Sequence, residues 1–141
     1  MFYPSGAREL DQSLIEEPLK WLKAFANVRT DYLKALEGYI NKRLDEVIIH
    51  CYIAIEGITR ETLGNDRTLD NNRENLLQKI GLSQEWKALL NNFITYANEF
   101  KRHASEKRHN INPAEVEGFF YMSGVLLRLI TVASGSREAS Q

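Results

Sequence analysis

The residues best suited to chemistry lie in one short stretch, the basic segment, residues 101–109. It holds two of the chain's three histidines, and it carries four basic side chains against one carboxylate. A guanidinium can bind a phosphate through two parallel hydrogen bonds, and an imidazole can transfer protons near neutral pH. Such a pair could cleave an RNA phosphodiester bond without a metal, because arginine stabilises the charged transition state while histidine moves a proton.

Arg102 and His109 are the candidate catalytic pair of the basic segment. On a helix, Asn98 and Glu99 share a face with Arg102, opposite an apolar side, so Arg102 is predicted to point away from the core. His109 follows the predicted helix end, where a turn could bring it back towards Arg102. Arg108 is a second candidate arginine, and the pairing stays open between the two.

Glu56 is predicted on an apolar stripe of its helix, where a carboxylate is buried and needs a cation or a hydrogen-bond donor. Either it orients Arg102 or His109, or it forms a structural ion pair with Arg60 or Arg128. Simple exposure at the edge of the stripe is the remaining interpretation.

No familiar cofactor or metal motif accompanies these residues. His50 is interpreted as a surface or helix-contact histidine, and Cys51 as an inert core residue. HExxH, paired cysteines, GxGxxG and GxxxxGK are all absent from the sequence. The sequence therefore predicts no metal and no cofactor, and it disfavours a nucleotide enzyme of a standard kind.

The composition is that of one soluble domain. The chain has 141 residues, 43% of them hydrophobic and 26% charged, which supports a single core. Its net charge of −1 predicts no global attraction to nucleic acid or anionic membranes, so any such contact must be local. A single cysteine excludes an internal disulfide.

We expect a cytoplasmic protein with no membrane contact, because no signal peptide is evident and the apolar stretch 47–55 is shorter than the roughly 20 residues of a membrane span.

Apolar residues recur at spacings of three and four, which predicts an all-α fold, a small helical bundle of about five to six helices. Residues 1–11 are predicted to be a flexible N-terminus, 12–133 the helical domain and 134–141 a flexible C-terminal tail. The predicted helices begin near Pro18 and then span 28–41, 44–63, 73–80, 84–104 and 113–132, with a loop over 65–72.

The basic segment resembles the active-site motif of the HEPN superfamily, an arginine, then a polar residue, and a histidine after four to six intervening residues. Here Arg102 is followed by His103, and six residues separate Arg102 from His109. The helical pattern, the AIEGITRETL helix around Glu56, the position of the motif at a late helix end and the closing apolar helix are also similar. The resemblance covers roughly residues 28–132.

The resemblance implies a metal-independent endoribonuclease in which arginine and histidine of two protomers meet across a homodimer. It also implies a toxin–antitoxin or abortive-infection setting, with RNA as substrate and an antitoxin or a fused effector domain as possible partners. The residues expected to support the catalytic pair are His103, Asn98 and Glu56, and those expected to contact RNA are Lys101, Lys107, Arg108 and Asn110. The alternative is a non-catalytic helical module for dimerisation, partner binding or RNA binding, which could be the C-terminal part of a larger defence protein.

The last predicted helix offers a separate argument for a homodimer, because it is apolar on more faces than one small bundle can cover. Glu117, Tyr121, Gly124 and Arg128 recur on one stripe, where glycine would permit close approach of a partner. A two-fold dimer through this stripe would place both basic segments along one cleft. Alternatively, the N-terminal helix of the same chain covers the stripe.

Overall fold

The computed structural model describes residues 16–102 and 111–139, with side chains described up to residue 133. All regular secondary structure in these ranges is helical, which confirms the predicted all-α bundle. The described helices are α1 (16–21), α2 (Ala26–Ile40), α3 (Leu44–Leu63), α4 (Leu69–Ile80), α5 (Gln84–Arg102) and α6 (Pro113–Ala139).

Helices α2 and α3 form an antiparallel hairpin joined by the turn 41–43. Gly38 near the end of α2 lies against Val47 near the start of α3, and Gly57 further along α3 lies against Val28 at the start of α2. A side chain at Gly57 would come within 3.1 Å of Val28, so the missing side chain lets the two backbones pack closely. The hairpin forms one wall of the core.

Helix α6 packs across this hairpin. The Phe120 ring stacks on Tyr32 at 5.5 Å and lies tilted against Tyr39 at 4.8 Å, and Phe119 stacks on Phe93 of α5 at 4.4 Å between ring centroids. By length and composition alone, Pro113–Ala133 would also suit a membrane span. The core helix of a helical bundle can have the same length and apolar composition. The aromatic contacts of α6 show that one of its faces lies at the centre of the bundle.

Helix α4 begins four residues before its predicted start at residue 73, so the predicted loop over 65–72 is wrong in its second half. Thr68 caps the helix, because its hydroxyl accepts the Asn71 backbone N–H at 3.3 Å. The Asn65 and Asn72 side-chain amides hydrogen bond to each other in both directions at 2.9 Å. Residues 65–72 resemble a loop in sequence because nearly all of them are polar. Within the fold, however, the side-chain amides of Asn65 and Asn72 are hydrogen-bond partners of each other.

The other helix ends agree with the prediction more closely. Helix α3 spans the predicted residues and ends at Gly64 in a left-handed conformation, with φ 69. The predicted starts of α5 and α6 are confirmed, while α2 differs from its prediction by two residues at its start and one at its end. Helix α6 continues to Ala139, seven residues past its predicted end, so helical structure extends into the range predicted as a flexible tail.

Candidate functional site at the end of helix α5

Helix α5 presents its last turn to solvent because its apolar residues all lie on one side. The Ser83 hydroxyl accepts the Trp86 backbone N–H at 3.5 Å and helps to start the helix. Phe93, Ala97 and Phe100 are then buried at spacings of four and three. Asn98 and Arg102, which are four residues apart, consequently lie on the opposite side.

Arg102 points away from the core, as the sequence predicted. Its side chain is 71% exposed, and its Nη1 lies 3.2 Å from Oε1 of Glu99, one turn earlier on the same helix. Exposed ion pairs of this spacing contribute about 0.3–0.5 kcal/mol. A phosphate could therefore displace Glu99 at little cost in free energy.

Lys101, a predicted RNA-binding residue, makes a contact within the fold. Its Nζ lies 3.6 Å from the centre of the Tyr52 ring, a cation–π contact that connects the end of α5 to α3. Burial, together with the nearby Glu56 and Asp70 carboxylates, raises the pKa of the Tyr52 hydroxyl to about 12. The phenol is therefore neutral at physiological pH.

Asn98, a predicted supporting residue, is directed to helix α4. Its Nδ2 donates to Oδ2 of Asp70 at 2.8 Å, and Arg73 lies 3.9 Å from the same carboxylate. This hydrogen bond holds the last turns of α5 against the first turn of α4. The structure thus gives Asn98 a contact between helices, while Glu99 is the neighbour that pairs with Arg102.

Glu56 pairs with Arg60, one of the two arginines considered as its structural partner. The distance from Glu56 Oε1 to Arg60 Nη2 is 3.4 Å, and Oε2 accepts the Leu69 backbone N–H at 3.0 Å. With its side chain 17% exposed, Glu56 neutralises a cation and caps the start of α4. The alternative role, orienting Arg102, has no contact to support it among the described residues.

The remaining predicted site residues, His103, Lys107, Arg108, His109 and Asn110, lie outside the described residues. Of the predicted site, the structure therefore brings Glu56, Asn98 and Lys101 to one junction, where helices α3, α4 and α5 meet. Arg102 is the next residue after this junction. Sequence reasoning missed Tyr52 and Asp70, which anchor Lys101 and Asn98. No local sequence pattern indicates these two contacts, because each joins residues that are far apart in the chain.

Cys51 lies in the core, as the sequence predicted. The thiol is fully buried, and burial raises its pKa from 9.0 to about 12, against a smaller lowering by the hydrogen bond to Ser123. His50 is half-buried, and its Nδ1 has no hydrogen-bond partner among the described residues. In residues 16–102 and 111–139, no cluster of three or more His, Cys, Asp or Glu is placed to hold a metal ion.

The stripe of α6 predicted to form a dimer contact is partly covered within the chain, and Arg128 remains exposed. Arg128 lies over the Trp21 ring of α1 at 4.8 Å, and the Tyr121 ring lies 6.4 Å from that of Tyr39 in α2. Gly124 is buried. The contact of Arg128 with Trp21 agrees with the alternative, coverage by the same chain's N-terminal helix, while a dimer through this stripe stays a prediction.

Two surface grooves lie close to these elements. One, of about 320 Å³ between α5 and α6, is lined mainly by apolar side chains. The other, of about 460 Å³ between α2 and the end of α3, includes Asp31, Glu61 and Asp66 in its walls. These three carboxylates outnumber the one guanidinium in its walls, that of Arg60, so the larger groove repels phosphate and is unsuited to RNA.

Comparisons with family models, with curated proteins and with solved structures find no match to this chain. The similarity to the HEPN superfamily therefore depends on the spacing of Arg102 and His109 and on the helical pattern around them.

Proposed function

We propose that this chain is a metal-independent endoribonuclease of HEPN type that acts as a homodimer, in the role of a toxin or abortive-infection effector. The observation that supports it is the exposure of the Arg102 guanidinium, 71%, at a helix end that is otherwise held in place. Arg102 would bind the scissile phosphate of RNA, and His109 would transfer protons.

The end of α5 is suited to this role because two neighbours of Arg102 are fixed. Lys101 is held on Tyr52 of α3, and Asn98 is held by Asp70 of α4. The backbone of the last turn is thereby ordered, while the guanidinium remains in solvent. An ordered helix end with an exposed cation reduces the conformational entropy lost when a phosphate binds.

In the proposed reaction, the 2′-oxygen of the RNA forms a bond to phosphorus and the bond to the 5′-oxygen breaks. His109 acts either as the base that takes the 2′-hydroxyl proton or as the acid that protonates the 5′-oxygen. The products are a 2′,3′-cyclic phosphate and a 5′-hydroxyl end, with no water consumed. His103 would support the pair, and Lys107, Arg108 and Asn110 would contact the RNA. Arginine and histidine would come from different protomers.

A direct assay tests this proposal. Purified protein is incubated with end-labelled RNA in EDTA, and the fragments are analysed for cyclic phosphate ends. Cleavage should persist in EDTA and be lost in Arg102→Ala and His109→Ala, whereas Lys79→Ala, which removes an exposed cation from α4, should cleave like the wild type. Loss of cleavage in EDTA, or full activity of His109→Ala, would contradict the mechanism.

A second candidate is a non-catalytic helical module that binds a partner protein or a second copy. The observation that favours it is the apolar outer face of α6, which the rest of the described chain leaves partly exposed. Expression in a bacterial host distinguishes the candidates. Growth arrest by the wild type that Arg102→Ala and His109→Ala relieve would support cleavage. Equal growth and equal yield of all three would support the module.

A further inference from the structure

The acidic groove is the larger of the two surface grooves, lined by residues of α2, of the second half of α3 and of the loop after α3. Its floor is apolar and includes Val28 and Ile53. Ile53 is 36% exposed, one of two exposed large apolar side chains among those that the structure describes. Gly57, one turn after Ile53, adds no side chain to the floor. An apolar side chain of another molecule can therefore rest on Ile53.

The rim of the acidic groove carries three carboxylates, which come from α2, from α3 and from the loop after α3: Asp31, Glu61 and Asp66. In the part of the chain that the structure describes, no ion pair neutralises any of them. Arg60, the one cation among the lining residues, is already engaged. Its Nη2 lies 3.4 Å from Glu56, and its Nε donates to the Arg67 backbone carbonyl at 2.8 Å. The groove therefore combines an apolar floor with a negative rim.

The three rim carboxylates are spread along the groove and do not converge on one point. No set of three or more His, Cys, Asp or Glu side chains in residues 16–102 and 111–139 is placed to hold a metal ion. Ile53, Gly57 and Glu61 follow one another at spacings of four on α3, so this wall extends over about 12 Å. An occupant that neutralises the rim must therefore carry several positive charges, separated from one another and placed around an apolar group.

The sign of the rim charge limits the class of occupant. The three carboxylates repel the phosphates of RNA and the headgroups of anionic lipids. A protein segment with lysine or arginine beside an apolar residue fits both rim and floor, because these basic side chains have apolar stems and charged ends. A polyamine matches the rim, but its methylene chain has no side group to pack on Ile53.

We propose that the acidic groove binds a basic amphipathic segment of a partner protein. One apolar side chain of that segment packs on Ile53 and Val28, and lysine or arginine side chains around it pair with the three rim carboxylates. About 12 Å of groove accommodates roughly two turns of helix. Because the rim is open to solvent, binding weakens as the salt concentration rises.

This binding site goes beyond the proposed function and does not depend on it. Arg102 is not among the residues that line the acidic groove, and RNA is not its ligand. A chain that binds the basic segment but leaves RNA intact contradicts the ribonuclease alone. A chain that cleaves RNA but binds no basic segment contradicts the acidic groove alone.

Fluorescence anisotropy with a synthetic peptide tests the site. The probe is a fluorescein-labelled helical peptide of about twelve residues, with leucines on one side and lysines on both borders of that side. At low salt it should bind with a dissociation constant of about 10–100 µM. A control peptide with serine in place of leucine keeps the charge and should bind at least about fivefold more weakly. Equal binding of the two peptides, or no saturable binding of the probe, would overturn the proposal.

The rim is tested by a triple variant that removes charge and keeps side-chain size: Asp31→Asn, Glu61→Gln and Asp66→Asn. Its matched control removes the same charge from exposed positions outside the groove: Glu37→Gln, Glu74→Gln and Glu85→Gln. The rim variant should bind the probe at least about tenfold more weakly, and the control should stay within about twofold of the wild type. Equal weakening in the two variants would mean general attraction by net charge and would overturn the site.

Ile53→Ser tests the floor at an exposed position. It should weaken binding of the probe at least about fivefold, with unchanged helicity by circular dichroism. Spermine and light scattering distinguish the other occupants. If spermine binds as tightly as the probe and is lost only in the rim variant, the groove is a polyamine site and the proposal fails. It fails equally if the wild type self-associates and the rim variant does not, because a second copy would then occupy the groove.

Discussion

At the scale of single residues, Glu56 shows how a carboxylate on an apolar stripe is accommodated. The sequence predicted that it needs a cation or a hydrogen-bond donor, and Arg60 one turn later provides the cation. The second contact, to the backbone N–H of Leu69, could not be predicted because it depends on where α4 begins. Helix N-termini carry unpaired N–H groups and a partial positive charge, both of which favour a carboxylate.

We predict that Glu56→Ala lowers the free energy of unfolding by about 1–2 kcal/mol, because it removes a cap and a half-buried ion-pair partner. Urea unfolding followed by circular dichroism measures the change. Glu61→Ala is the matched control, since Glu61 is an exposed carboxylate on the same helix, and it should change the free energy by less than about 0.5 kcal/mol. If Glu56→Ala kept full stability but lost RNA cleavage, Glu56 would belong to the reactive site instead.

The Cys51 thiol makes the stability of the fold depend on pH in the alkaline range. Its pKa is raised from 9.0 in the unfolded chain to about 12 in the fold, because burial disfavours the thiolate. The folded state therefore keeps a proton that the unfolded state loses. This contribution to stability is fully present below pH 9 and is lost as pH rises towards 12.

Between pH 9 and pH 10, we expect the free energy of unfolding to fall by about 1 kcal/mol through this thiol. Urea titrations at pH 8, 9 and 10 measure the slope. Cys51→Ala removes the titrating group with a small change in volume, so its slope over this interval should be flatter. Equal slopes in the two proteins would show that Cys51 is not the responsible group.

At the scale of helices, the sequence predicted those elements whose ends carry local signals. Helix α3 ends at Gly64 as predicted, and α6 starts where Asn112 accepts the Ala114 backbone N–H at 2.9 Å. The start of α4 was missed because residues 65–72 are nearly all polar, and Leu69 is the only apolar residue among them. Leu69 is fully buried, so tertiary packing adds a turn that periodicity alone does not show.

Gly64 ends α3 in the left-handed region, with φ 69, and a Cβ there would meet open space. A substitution at Gly64 therefore costs free energy through the backbone conformation and not through a steric clash. We predict that Gly64→Ala lowers the free energy of unfolding by about 1 kcal/mol, and that Gly64→Asn costs less because asparagine tolerates this conformation better. Thermal melts of the three proteins test the order. An alanine variant as stable as the wild type would contradict it.

At the scale of the whole molecule, the sequence indicated that α6 has more apolar surface than one bundle covers, but it did not indicate which stripe the same chain partly covers. Tyr121 and Arg128 contact α2 and α1, and the apolar face that remains partly exposed begins at Gly118. Periodicity shows that a helix has two apolar sides, but not which side its own chain covers. That depends on how α1 and α2 pack, which no local pattern specifies.

In the candidate site, too, a local sequence pattern predicts which side of a helix is exposed but does not predict contacts between helices. The exposure of Arg102 followed from the burial of Phe93 and Phe100 on the other side of α5, so it was predictable. The partners of Asn98 and Lys101 were not, because Asp70 lies 28 residues before Asn98 and Tyr52 is on a different helix from Lys101. The contact of Lys101 with Tyr52 reduces by one the number of basic residues that are free to meet RNA.

The number of basic residues available to phosphate predicts how strongly RNA binding by the whole chain depends on salt. With a net charge of −1, attraction to RNA must come from the basic segment. Lys101 is held on Tyr52, which leaves Arg102, Lys107 and Arg108 as phosphate ligands. For single strands, the logarithm of the binding constant falls by about 0.7 per neutralised phosphate for each decade of salt, so three contacts give a slope near −2.

Fluorescence anisotropy with labelled single-stranded RNA, titrated at several KCl concentrations, measures this slope. Arg102→Ala should make it shallower by about 0.7, since one phosphate contact is lost. Lys101→Ala should change it much less, because the Lys101 cation is already engaged with Tyr52. A larger change for Lys101→Ala than for Arg102→Ala would mean that Lys101 leaves Tyr52 to bind phosphate, and that Arg102 is not the main phosphate contact.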